Sequence, residues 1–197
     1  MRTLELLAPA KNLECGKAAI DHGADAVYIG AMKFGARASV GNDIDDIREL
    51  CLYAHQFGAK VYVTVNTIIY ETELDDTKNL LRALCQAKVD ALLVQDMAIL
   101  QLLPNDGSYV PALHASTQTD NRTAEKVAWL QSIGFERAVL ARELSLQEIR
   151  KIHQQVPEMQ LEAFVHGALC VSYSGLCYAS QHCFHRSANR GTCAQFC

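Results

Sequence analysis

Cysteines are concentrated at the carboxyl-terminal end of this 197-residue sequence. Of its 8 cysteines, five fall within the last 28 residues: Cys170, Cys177, Cys183, Cys193 and Cys197. They lack the Cys-x2-Cys pair that structural zinc sites commonly use, whereas thiolates from separate loops bind iron–sulfur clusters at wider spacings. No Asp, Glu or Lys occurs from Ala163 onward, so Arg186, Arg190 and backbone N–H groups would offset the charge of a thiolate cluster. The pattern indicates a thiolate metal site, with unligated thiols in a polar loop as the alternative.

A second group of candidate residues follows apolar runs that have the composition of β-strands. Arg142 is the best candidate for an anion clamp and Arg37 the second, because a guanidinium offers a planar fork to a carboxylate or phosphate. His114 and His166 are candidates for general acids or substrate hydrogen-bond partners near neutral pH. Further polar candidates for substrate binding at strand ends are Asn66, Gln95 and Gln118. The alternatives are a salt bridge of Arg142 with Glu143 or another acid of the barrel rim, histidines that are simply hydrogen-bonded in place, and loops that are polar because they are exposed to water.

The elements that must position these residues alternate regularly. Seven apolar runs predict strands at 4–8, 26–29, 61–66, 91–94, 112–115, 138–141 and 161–165. Amphipathic helical patterns lie between most of them, and Gly23, Gly58 and Gly134 stand where helix C-terminal caps are expected. Such alternation is typical of a parallel sheet, and the absence of GxGxxG after the first run favours a barrel over a doubly wound sheet.

We therefore predict an α/β fold, a TIM-type (β/α) barrel with seven of its eight strands present. Residues 1–167 would form the partial barrel, and residues 168–197 a Cys-rich segment of the same domain. A complete barrel has eight strands and about 250 residues, so we expect the natural chain to continue beyond Cys197. Active sites of such barrels form at the carboxyl ends of the strands, which is where the candidate residues fall.

Composition narrows the functional class. A hydrophobic fraction of 50% argues against disorder, and a net charge of -4 argues against a uniformly basic nucleic-acid coat, so any RNA contact must be local. No apolar run approaches the roughly 20 residues of a membrane span, and the start lacks the apolar stretch of a signal peptide. We expect a cytoplasmic protein without a membrane partner.

The run EAFVHGALCVSYSGLCYAS at 162–180 resembles the signature of the U32 family, long called collagenase-like peptidases. The resemblance extends over essentially the whole chain, through LELLAPA at 4–10, GADAVYIG at 23–30, VTVNT at 63–67 and NRGTC at 189–193. FGAR at 34–37, VQDM at 94–97, HASTQ at 114–118 and VLAREL at 139–144 look most like the branch that hydroxylates a cytidine of 23S ribosomal RNA. The branch that acts on the wobble uridine of tRNA is the nearest neighbour.

The resemblance implies a barrel with a [4Fe-4S] cluster and an oxygen-independent hydroxylation that uses prephenate as co-substrate. By motif position, Cys170, Cys177 and Cys193 match three cluster ligands, the fourth is expected beyond this chain's end, and Cys197 matches an additional cysteine of the RNA-modifying branches. Ribosomal RNA is the expected partner, with tRNA as the alternative. The electron donor is unknown, and a region beyond residue 197 is expected to supply RNA affinity.

Two alternatives from other classes stand beside this interpretation. A peptidase would need a nucleophile held by a His and an orienting acid, or an HExxH helix, and neither is evident in the sequence. A dyad of Cys170 and His166 would compete with cluster ligation for the same thiolate. The other alternative is a non-catalytic scaffold that carries the cluster for a partner.

Overall fold

The computed structural model describes residues 4–32, 34–35, 41–168 and 170–197. Its strands are β1 (Leu7–Ala10), β2 (Ala26–Gly30), β3 (Lys60–Val65), β4 (Ala91–Val94), β5 (Ala112–Ala115), β6 (Arg137–Val139) and β7 (Gln160–Glu162). Its helices are α1 (Leu13–Asp21), α2 (Ile44–Gln56), α3 (Leu74–Ala87), α4 (Ile99–Leu102), α5 (Ala124–Ser132), α6 (Leu146–Gln155) and α7 (Ala179–Phe184). Single 3-10 turns lie at Glu71–Glu73, Thr117–Thr119 and Ala188–Arg190. Strand and helix alternate through the first six βα units.

The strands form one parallel sheet in the order β1 to β7. The sheet is curled, as a contact between distant strands shows. Glu5, just before β1, accepts a 2.5 Å hydrogen bond from Arg137 at the start of β6. This contact joins the region of the first strand to the sixth strand across the inside of the curl. The predicted TIM-type barrel with seven strands is therefore confirmed. The division of the chain at residue 167 stays a prediction.

The core has two layers, which follow from the two faces of each strand. In β3, Val61 and Val63 point outward and join the large cluster that the helices cover, whereas Tyr62 points inward. The inner cluster consists of Ala26, Tyr62, Ala91, Leu93 and Val139. Helix α2 buries Ile47, Leu50, Cys51 and Ala54, the apolar stripe predicted from their spacing, although Phe57 beyond its end is exposed.

Side chains at the helix N-termini fix where several helices begin. Asn12, Asp43 and Thr123 each accept a hydrogen bond from a backbone N–H in the first turn of α1, α2 and α5. At α6, Ser145 and Glu148 form a capping box, in which each side chain accepts from the other's backbone N–H. At two of the predicted C-terminal caps, Gly23 (φ 95°) and Gly134 (φ 100°) adopt the positive φ that favours glycine.

The first and last strands differ most from the sequence prediction, whereas β2, β3 and β6 differ by one or two residues at their ends and β4 and β5 match it. The first strand begins at Leu7 rather than Leu4 and includes Pro9, which is tolerated because, among the described residues, β1 pairs with β2 alone and has one free edge. The last strand ends at Glu162, where its partner β6 ends at Val139, so the apolar residues Phe164 and Val165 continue unpaired and exposed. The apolar run at 161–165 predicts a strand that is longer than the part of β6 with which it can pair. Within the described ranges, no helix is both long and apolar enough to cross a bilayer.

Candidate functional site

Polar side chains at the carboxyl ends of β3, β4 and β5 form one hydrogen-bonded group. Asn66 donates from Nδ2 to Ser116 Oγ over 3.2 Å, and the same hydroxyl accepts from the backbone N–H of Gln118 at 3.2 Å. Gln95 donates from Nε2 to the Gln118 carbonyl over a long 3.4 Å, while its buried Oε1 has no hydrogen-bond partner in the described part of the chain. Three of the predicted substrate-binding residues are therefore brought together, and Gln95 retains an acceptor for a ligand.

Arg142 lies in the loop after β6, beside this group. Its Nη2 donates to the Ser172 carbonyl at 3.1 Å, and its backbone N–H donates to Ser174 Oγ at 3.3 Å. Its Nε is buried, and no acceptor for it exists among residues 4–32, 34–35, 41–168 and 170–197. The alternative of a salt bridge with Glu143 does not occur, because that carboxylate contacts Ser174 and Arg122 instead. A buried guanidinium N–H without an acceptor lowers the stability of the protein unless a bound ligand supplies the acceptor.

A cavity of about 310 Å³ opens next to Arg142. Its lining consists of Arg142, Phe164, Val165, His166, Gly167, Ala168 and Cys170. The volume lies at the lower end of the range for small-molecule sites. The cavity combines a guanidinium, an imidazole, a thiol and an aromatic ring, which suits a small anion or a planar base. It joins two predicted site residues, Arg142 and His166, to the predicted ligand Cys170.

The environment of the Cys177 thiol favours its thiolate form. Hydrogen bonds from Ser172, the largest contribution, and from the backbone of Ala179 and Ser180 lower its pKa. Cys170 is exposed and Cys193 half-buried. In the described ranges, however, no three His, Cys, Asp or Glu side chains lie close enough together to hold a metal ion. The donor chemistry fits a thiolate-bound cluster, and the three thiols would have to converge when it assembles.

His114 lies apart from this region, inside the barrel. Its ring packs edge-on against Tyr62 at a centroid distance of 4.8 Å, and it is 4% exposed. Burial, reinforced by the nearby Arg137 charge, lowers its pKa to about 3. The imidazole is therefore neutral at pH 7, which argues against its prediction as a general acid there. Its prediction as a hydrogen-bond partner is still open, since its buried Nδ1 has no partner among the described residues.

A second cavity lies on the same rim, between the loops after β2 and β3. Thr67, Glu73 and Arg190 are among its lining residues, and the guanidinium of Arg190 pairs with the Glu73 carboxylate. The buried hydroxyl of Thr67 has no partner within the described chain. Arg37, the second predicted anion clamp, lies outside the described residues.

Sequence reasoning missed two clusters. One joins Glu143, Ser174 and Thr117, which fasten the Cys-rich segment to the loops after β5 and β6. The sequence does contain a signal for this cluster. The Cys-rich segment has no acidic residue, so any carboxylate that its donors contact must belong to another part of the chain. The other is the ion pair of Glu5 and Arg137, 132 positions apart, for which no local pattern exists.

The fold and the rim chemistry define a (β/α)-barrel protein with a thiol-bearing segment above the carboxyl ends of its strands. The family model described as Peptidase family U32 matches residues 11–197. The chain therefore belongs to the U32 family. Among solved structures it is similar to the U32 peptidase Mk0906, with a TM-score of 0.70 over 87% of this chain and 72% of that one, at 15% identity. At that identity the likeness supports the fold alone.

Several relatives of this chain carry functional names, among them two that are named for the hydroxylation of RNA. The chain is 52% identical to the 23S rRNA 5-hydroxycytidine C2501 synthase of Escherichia coli (strain K12), over 98% of this chain and 29% of that protein. It is 40% identical to the tRNA hydroxylation protein P1 of Bacillus subtilis (strain 168), over 98% of this chain and 46% of that protein. The chain thus spans less than half the length of either relative.

Proposed function

We propose that this chain is part of an RNA-modifying hydroxylase, and that its substrate is a cytidine of 23S ribosomal RNA hydroxylated at C5. The 52% identity to a 5-hydroxycytidine synthase, which exceeds the 40% identity to a tRNA hydroxylation protein, favours ribosomal RNA over tRNA. Such an enzyme acts in the cytoplasm. The single observation on the molecule that carries the proposal is the cavity in which His166 and Cys170 meet the Arg142 guanidinium, whose Nε has no acceptor among the described residues.

We assign the guanidinium of Arg142 to an anionic co-substrate, for which prephenate is the candidate. Its buried Nε–H has no acceptor in the described ranges and points to an anion that supplies one. His166 at the same cavity would donate to or accept from that molecule. Asn66, Gln95 and Gln118 would read the amide and carbonyl edge of the pyrimidine, because amide side chains both donate and accept.

The target base must leave its stack to reach a cavity of this size. Phe164 and Val165 line the opening and offer an apolar face against which a flipped base can pack while water is excluded. A [4Fe-4S] cluster held by Cys170, Cys177 and Cys193 would supply electron transfer beside the cavity, without molecular oxygen. The low-pKa environment of Cys177 and the absence of acidic residues from 163 to 197 support a thiolate cluster at this place.

Disruption of the gene followed by mass spectrometry of digested RNA tests the proposal. We expect 5-hydroxycytidine to disappear from 23S rRNA while 5-hydroxyuridine derivatives of tRNA persist. Loss of the tRNA modification instead would indicate that the substrate is the wobble uridine of tRNA. Unchanged RNA, together with peptide hydrolysis by the purified protein, would replace the hydroxylase with a peptidase, and unchanged RNA without hydrolysis would favour a scaffold.

A further inference from the structure

The Cys-rich segment, residues 168–197, depends on the barrel for its anionic partners. It contains no Asp, Glu or Lys, so every carboxylate that its donors contact must come from elsewhere in the chain. Two barrel carboxylates do this. Glu73 pairs with Arg190, and Glu143 accepts from Ser174. The two contacts fasten the segment on either side of Cys177.

Of the two contacts, the Glu143 contact involves the more deeply buried residue of the segment, since Ser174 is fully buried whereas Arg190 is half-buried. Ser174 is fully buried, its backbone N–H donates to Glu143 Oε1 at 3.0 Å, and its hydroxyl lies 3.0 Å from Glu143 Oε2. Arg122 holds the carboxylate from the other side, with Nη2 at 3.1 Å from Oε1, and its guanidinium lies over the Tyr173 ring at 5.3 Å. Hydrogen bonds from a buried N–H to a carboxylate belong to the stronger class in proteins.

This contact fixes the backbone that carries two predicted ligands. The Ser174 hydroxyl also accepts from the Arg142 N–H at 3.3 Å, and Arg142 returns a bond to the Ser172 carbonyl at 3.1 Å. The Ser172 side chain in turn hydrogen-bonds the Cys177 thiol. Next to Ser174, Gly175 lies so close to the Gln118 carbonyl that an added Cβ would be 2.1 Å from that oxygen. Residues 172–175 are therefore held against the rim by these contacts, two residues after Cys170 and two residues before Cys177 at their nearest points.

We propose that Glu143 is a positioning residue, which holds Ser174 so that Cys170 and Cys177 are presented beside the Arg142 cavity. The inference rests on the proposed function only in that these cysteines are its proposed cluster ligands. Glu143 touches neither thiol itself and acts through Ser174 and its neighbours.

Hydrogen–deuterium exchange of the 197-residue chain, read by mass spectrometry, tests whether Glu143 holds the segment. In Glu143→Leu the Ser174 amide loses its acceptor, and we expect peptides spanning 170–178 to exchange at least tenfold faster, with β3–β5 unchanged. Glu143→Gln retains an acceptor oxygen and should recover most of the protection. Glu158→Gln makes the same chemical change at an exposed carboxylate and should behave as wild type.

Iron bound per chain after anaerobic reconstitution tests whether this contact serves the ligands. We expect at least a twofold loss in Glu143→Leu and recovery in Glu143→Gln. Unchanged exchange at 170–178, or faster exchange with unchanged iron binding, would overturn the proposal. If Glu143→Leu also loosens β3–β5, Ser174→Ala removes only the hydroxyl and is judged by the same two results. If neither the wild-type chain nor a C-terminally extended one binds iron, the proposed cofactor fails, while the exchange result still decides whether Glu143 holds the segment.

Discussion

The ion pair of Glu5 and Arg137 closes the inside of the barrel, and replacing Glu5 by Gln should destabilise the protein by about 2 kcal/mol. Arg137 is 8% exposed, and its guanidinium contacts Glu5 at 2.5 Å and Gln160 at 2.8 Å. Breaking a buried ion pair costs about 3–5 kcal/mol when one charge is left alone. Here Gln160 and Glu162, the latter 3.5 Å away, continue to compensate Arg137, so the expected loss is smaller.

The size of this effect and its pH dependence are measurable by thermal and urea unfolding. For a chain of this length, a loss of about 2 kcal/mol corresponds to a fall in Tm of roughly 4–8 °C. Burial tends to raise the pKa of Glu5, but the Arg137 contacts and the Tyr62 hydroxyl lower it overall from its ordinary value of 4.5. A lowered folded-state pKa stabilises above the unfolded value, and the stabilisation is lost as pH falls through the folded value. The gap between wild type and Glu5→Gln should therefore be full at pH 7 and shrink below about pH 4.5.

Glu158→Gln, at an exposed position, is the matched control and should unfold as wild type does. A double-mutant cycle with Arg137→Met should show coupling, because Glu5 loses its cationic partner in that background. Equal unfolding free energies for wild type and Glu5→Gln at pH 7, or a gap that widens in acid, would refute the reasoning.

Three further predictions follow from single environments. Gly175→Ala should destabilise the Cys-rich segment by at least about 1 kcal/mol, because Gly175 has φ +73° and the added Cβ would clash with the Gln118 carbonyl. Limited proteolysis should then cut this segment faster than in the wild type. An unchanged cleavage rate would contradict the packing. The NMR signals of His114 should not titrate between pH 5 and 8, since burial lowers its pKa to about 3; a midpoint near 6.5 would place the ring in water. Iodoacetamide at pH 8 should modify the exposed Cys15 and spare Cys51, whose pKa burial raises to about 12, and equal rates would contradict the burial.

The barrel could be predicted from the sequence because its signals are local and repeated. The stripe of Ile47, Leu50 and Cys51 predicts the buried face of α2, and Gly23 and Gly134 predict the helix ends. The ends of the strands are harder to predict from the sequence, because a strand ends where its partner strand ends, as at Glu162 opposite Val139. No property of residues 160–165 alone contains that information.

The candidate site could be predicted in residue type but only partly in arrangement. Residues at strand ends, such as Gln95 and Gln118, meet as expected because the carboxyl ends of parallel strands share one edge. His114 is an interior residue instead, since the alternation of β5 turns it toward Tyr62. Contacts between distant segments depend on the fold: the lack of acidic residues in the Cys-rich segment indicates that its carboxylates come from elsewhere, but not that Glu143 contacts Ser174.

The measurement that tests the central claim most directly is the 5-hydroxycytidine content of 23S rRNA in cells whose gene is disrupted and then restored in variant forms. We expect restoration by the wild type and by Glu158→Gln, and none by Arg142→Gln or Cys177→Ser when protein levels are equal. Full hydroxylation with Arg142→Gln and Cys177→Ser, or unchanged rRNA after disruption, would contradict the assignment of the Arg142 cavity to RNA hydroxylation.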